Sequence, residues 1–107
     1  MKLKSKVIKI ELQHFTGCPN APVLIERVKA AMKDFDNIDY KEVLVDSNQK
    51  AEGVKFRGSP TLLINGEDFE NQLEPESPAL SCRYYINGLP GVEEIKNKII
   101  QAERLLK

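Results

Sequence analysis

The feature that most constrains this chain is a change of hydrophobic period at Thr16-Gly17-Cys18-Pro19. Before it, Val7, Ile8, Ile10, Leu12 and Phe15 form a mostly apolar run rich in the β-branched residues that suit a pleated, half-buried surface. After it, Leu24, Ile25, Val28, Ala31, Met32 and Phe35 recur at the three- and four-residue steps of one helix face. A first strand therefore hands over to an amphipathic helix running roughly from Pro19 to Asp34. Pro19 and Pro22 both fall in its first turn, where a missing N–H costs no intrahelical hydrogen bond.

The rest of the chain continues the alternation. After Asp36-Asn37, the segment Tyr40 to Val45 reads as a second strand, and a weaker helical stretch follows from about Asn48 to Val54. Gly58-Ser59-Pro60 leads into a short apolar strand, Thr61 to Ile64, which ends in the hairpin signal Asn65-Gly66. Glu67 to Glu76 holds five acids and a proline, so an acidic solvated loop is expected up to about Ser81, with Cys82 to Ile86 as the returning strand. Val92, Ile95, Ile99, Ala102 and Leu106 then mark a closing amphipathic helix. A helix between the first two strands makes them parallel with a right-handed crossover, and the last two strands pair as an antiparallel hairpin. The expectation is an α/β fold with a mixed sheet covered by helices.

With 107 residues, 41% hydrophobic and 30% charged, this is ordinary globular composition for a single domain, residues 1–107. The 16 basic and 16 acidic residues balance, so the basic excess that attracts nucleic acid or anionic lipid is missing. Neither nucleic acid nor a membrane is an expected partner. The apolar stretch after the basic start is interrupted by Lys9, Glu11 and Gln13, so no targeting segment is read and a soluble, cytoplasmic protein is expected. Lys2, Lys4, Lys6 and Lys9 are read as keeping the N-terminal arm and a strand edge soluble. No phosphate-cradling glycine loop or Ser/His/Asp pattern occurs, and no cofactor is expected.

Two cysteines, Cys18 and Cys82, cannot build a disulfide framework, and a cytosolic setting keeps thiols reduced. Cys18 lies where the first strand meets its helix, and there free N–H groups and the helix dipole favour an anion such as a thiolate. Cysteines so placed can ionise below the free value of about 8.5 and act as nucleophiles near neutral pH. The competing reading is a small buried hydrophobe. Gly17 and Pro19 shape a tight turn around it, and Gly58-Ser59-Pro60-Thr61 supplies a second element able to face it.

With this element order, with Cys18 opening the first helix and with Ser59-Pro60-Thr61 opening the third strand, the sequence resembles the thioredoxin superfamily over nearly its whole length. More narrowly, Thr16-Gly17-Cys18-Pro19-Asn20, Phe56-Arg57-Gly58-Ser59-Pro60-Thr61 and Ser81-Cys82-Arg83 look like a group of small thioredoxin-like proteins, some labelled alkylmercury-lyase-like. The resemblance implies a four-stranded sheet in the order second, first, third, fourth. It also implies Cys18 as nucleophile, a cis Pro60 beside it, and a substrate platform formed by Gly17, Pro19, Ser59, Pro60 and Thr61, with the Ser59 backbone pairing to an extended thiol substrate. Only about 5–6% of X-Pro bonds in folded proteins are cis, so that expectation is specific. The chain departs from the family at Ala21, which stands where the resolving cysteine of Cys-x-x-Cys belongs.

What replaces that second thiol stays open at this level. Cys82 can resolve a mixed disulfide only if the two Cα atoms come within about 7 Å. The thioredoxin arrangement puts the start of a Cys82 strand at the far end of the sheet. Otherwise Cys18 works as a monothiol, with glutathione or another small thiol resolving the adduct. His14 is read either as a base near Cys18 or as a packed strand residue. No metal site is assigned, because His14 and Cys18 are too few ligands for structural zinc, although thiophilic metals need fewer. The expected function is thiol–disulfide exchange with a protein or small-molecule thiol or disulfide. The alternatives are a non-catalytic binding module on the same scaffold and thiophilic metal or organomercurial handling through Cys18.

Overall fold

A computed structural model of the chain describes residues 7–85 and 87–105. The elements are β1 (Ile8–His14), α1 (Asn20–Met32), β2 (Ile38–Leu44), α2 (Asn48–Val54), β3 (Thr61–Ile64), β4 (Glu67–Asp68) and α3 (Val92–Leu105). They form an α/β fold around one four-stranded mixed sheet in the order β2-β1-β3-β4. β1 runs parallel to β2, with Ile8 opposite Ile38 and His14 opposite Leu44, and antiparallel to β3, with Leu12 opposite Leu62.

Side chains alternate across a strand, and the two faces of β1 are covered differently. Ile8, Ile10 and Leu12 point into the main core, where they meet Leu24, Val28 and Ala31 of α1 and Ile95, Ile99 and Ala102 of α3. The helical periodicity read from the sequence is thus the face that buries. On the other side Phe15 and Val43 pack with Ala51 and Val54 of α2 around Val45 and Phe56. α2 is a short helix capped by Ser47, whose hydroxyl accepts from the Lys50 N–H at 3.1 Å. Among the described residues no helix is long and apolar enough to cross a membrane.

The fourth strand differs from expectation. The Asn65-Gly66 turn has φ of +52° and +82° and returns the chain at once, pairing Ile64 with Glu67 and Leu63 with Asp68. Such a two-residue turn with both φ positive matches the twist of the strands it joins. One further backbone bond, from the Phe69 N–H to the Leu62 carbonyl at 2.9 Å, follows Asp68 before the chain turns off the sheet edge, where the Asp68 carboxylate accepts from the N–H groups of Glu70 and Gln72 at 2.9 and 3.0 Å. Cys82 does not open a returning strand: it makes an isolated parallel bridge to Ser59. Ile86, the end of that expected strand, lies outside the described residues, as do Lys2, Lys4, Lys6 and Leu106.

Candidate functional site

The turn after β1 is built for a sharp reversal. Gly17 has φ +91°, a conformation that L side chains resist, and the Cys18 N–H donates to the Phe15 carbonyl at 3.3 Å. The Cys18 carbonyl in turn accepts from Ala21 N–H at 3.3 Å, which ties the cysteine to the first turn of α1. No side chain caps α1 and no acid stands in its first turn, so nothing within the helix offsets the positive end of its dipole beside Cys18. Cys18 is buried, with 6% exposure, and borders an open groove of about 480 Å3. Residues 14–18 form one wall, and Ala21, Pro22, Ile25 and Glu26 of α1 form the other. His14 and Cys18 therefore face the same space.

Behind this turn lies the Gly58-Ser59-Pro60 loop, whose Ser59-Pro60 bond is cis. The Ser59 hydroxyl accepts from Phe15 N–H at 3.3 Å and joins the loop to the end of β1. Thr61 is fully buried, and its hydroxyl donates to the Gly58 carbonyl. The backbone of Ser59 is already paired within the chain. Its N–H donates to the Ser81 carbonyl at 2.8 Å, and its carbonyl accepts from Arg83 N–H at 2.9 Å. The Tyr85 hydroxyl donates to the Pro60 carbonyl. Ser59, Pro60 and Thr61 are all buried, so the expected platform lies under residues 81–85, while Gly17 and Pro19 stay exposed at the turn.

An ion pair holds that covering segment down. Arg83 grips Asp68 with two hydrogen bonds, Nη1 to Oδ1 at 2.6 Å and Nη2 to Oδ2 at 2.7 Å, and both side chains are at most 2% exposed. Burial alone would raise the Asp68 carboxyl, but the guanidinium and the Gln72 and Glu70 N–H groups outweigh it and hold it below its ordinary value. The guanidinium also lies 4.6 Å from the centre of the Tyr85 ring. Burial pushes the Tyr85 phenol well above its ordinary range; Arg83 opposes that, while negative charge at Asp68, Glu70 and Cys18 adds to it. Gly58 is required here, since a Cβ would sit 2.9 Å from that of Arg83 at a φ of +106°.

Cys82 rides on this segment, exposed and opposite Ser59. It therefore lies at the end of the sheet where the Cys18 turn sits, and not at the far end, because the returning strand on which that expectation rested does not form. Both cysteines are free thiols. Among the described residues no three His, Cys, Asp or Glu side chains are grouped to hold a metal ion. Asp68, Arg83 and Tyr85 were not readable as site residues: Asp68 sits in an acidic run that reads as solvated, and its partner is 15 residues away. No protein family matches the chain, and no curated protein matches it in sequence.

Proposed function

We propose that the chain carries out thiol–disulfide exchange, with Cys18 as the attacking sulfur. The observation that carries this reading is the position of Cys18 at the uncapped N-terminus of α1, on the wall of an open groove. The Cys18 thiolate attacks one sulfur of a disulfide R–S–S–R′, a bond forms between Cys18 and R–S, and R′–S⁻ leaves to take a proton from solvent. A second thiol then attacks the mixed disulfide and frees Cys18. Because Ser59-Pro60-Thr61 is covered, the substrate approaches along the α1 wall, where Pro22 and Ile25 offer apolar contact and His14 a proton acceptor.

The covered platform also favours a second reading, a thioredoxin-like scaffold that binds without turnover. Oxidised glutathione separates the two. Exchange predicts a glutathione adduct on Cys18 in a Cys82→Ser variant and none in the double variant lacking both thiols. A folded Cys82→Ser chain that takes up no glutathione at Cys18 would refute exchange and leave the binding scaffold.

A further inference from the structure

The second thiol is the open part of the proposed exchange, and Ala21, three residues after Cys18, leaves no second cysteine in that turn. Cys82 stands instead at the backbone position that pairs with Ser59. Adjacent strands lie about 4.8 Å apart, so Cys82 is held one such spacing from Ser59. Ser59 is hydrogen-bonded to Phe15, and Phe15 to Cys18, so a short chain of contacts links the two cysteines at one end of the sheet. Tyr85, on the same segment as Cys82, lies within electrostatic range of Cys18.

The segment also has the form of a bound partner. Ser81 and Arg83 use the N–H and carbonyl of Ser59 as an extended peptide would, and the residue they flank is a cysteine. Arg83 and Asp68 anchor it from below, while the Cys82 thiol stays exposed.

We propose that Cys82 is the resolving thiol of this protein, presented by its own chain at the Ser59-Pro60 loop, so that Cys18 and Cys82 form an intramolecular disulfide. The inference rests on Cys18 being the attacking sulfur. In the resolving step the Cys82 thiolate attacks Cys18 Sγ, the Cys18–Cys82 bond forms, and the substrate half R–S⁻ leaves. The substrate disulfide has then gained two electrons and the protein dithiol has lost them. Two molecules of a small thiol such as glutathione then break the Cys18–Cys82 bond in two successive exchanges, leaving as one disulfide and returning both cysteines to the reduced state. Closing the bond needs the two Cα atoms within about 7 Å.

The test treats the reduced full chain, at low protein concentration, with oxidised glutathione and follows intact mass and a non-reducing peptide map. The expected result is loss of both free thiols in the unaltered chain, a Cys18–Cys82 cross-linked peptide and no retained glutathione. Cys82→Ser, a change at an exposed position, then holds a stable glutathione adduct on Cys18. An equally stable adduct on Cys18 in the unaltered chain, with Cys82 free, would overturn the inference and leave the exchange reading standing. So would a disulfide joining Cys82 of two chains. No adduct at Cys18 in Cys82→Ser would remove the exchange reading itself, and the inference with it.

Discussion

The Asp68→Asn substitution tests how the covering segment is held. Asparagine keeps an oxygen for the N–H groups of Glu70 and Gln72, which Asp68 Oδ2 accepts at 2.9 and 3.0 Å, but it removes the charge opposite Arg83. The Arg83 side chain is 1% exposed, and the remaining carboxylate near it is Glu70 at 3.7 Å, on a side chain 33% exposed. An uncompensated buried charge of this kind costs about 3–5 kcal/mol. A chain of 107 residues has roughly 5–15 kcal/mol of stability in all, so the loss is a large fraction of it. In a urea titration followed by far-UV circular dichroism, with m of about 1.5 kcal/mol/M, the midpoint should fall by about 2–3 M. Arg83→Met in the same chain should recover much of this, because a buried pair replaced by apolar groups is often neutral.

The pH dependence has a fixed sign. Asp68 is held below its unfolded value of about 3.9, so its contribution is complete above that pH and is lost as the pH falls through the native value. The gap between the parent and Asp68→Asn should therefore narrow in acid below about pH 4. A loss under about 1 kcal/mol at pH 7, the size of an exposed pair, would show that water reaches the pair and that it does not anchor residues 81–85.

Two further outcomes follow from the geometry. Gly58→Ala meets Arg83 Cβ at 2.9 Å as well as a φ of +106°, whereas Gly17→Ala meets nothing within 4 Å at φ +91°. Both pay the backbone penalty of about 1–2 kcal/mol, and urea titration should place Gly58→Ala clearly lower; equal losses would refute the close approach. Tyr85, whose phenol burial holds above the ordinary value, adds stability below about pH 10 that is lost as alkali ionises the unfolded phenol. Tyr85→Phe should flatten that alkaline fall, and an unchanged fall would show that Tyr85 is not buried against Pro60.

Most of the fold was legible because its signals are local. β1, α1, β2, α2 and β3 fall close to the expected segments, and α2 coincides with Asn48–Val54, since period and punctuation act within a few residues. The misreading came at Glu67–Asp68, where a run of acids outweighed the Asn65-Gly66 turn. Charge signals a solvated loop only when its partner is water, and the partner of Asp68 is a guanidinium brought in from Arg83. The Cys18 turn was readable for the same reason as the helix it opens. The burial of Ser59, Pro60 and Thr61 was not, because it depends on a segment that returns after a long excursion.

By itself, then, the sequence determined the alternation of strands and helices, the parallel β1–β2 crossover, and a cysteine at the start of α1. All of these are set by residues near one another along the chain. Only the tertiary structure decided that Asp68 is buried against Arg83, that residues 81–85 cover the Ser59-Pro60 loop, and that Cys82 stands at the Cys18 end of the sheet. Those outcomes depend on pairing between distant groups, where the cost of burying a charge is offset only once the opposite charge has been carried to it by the fold.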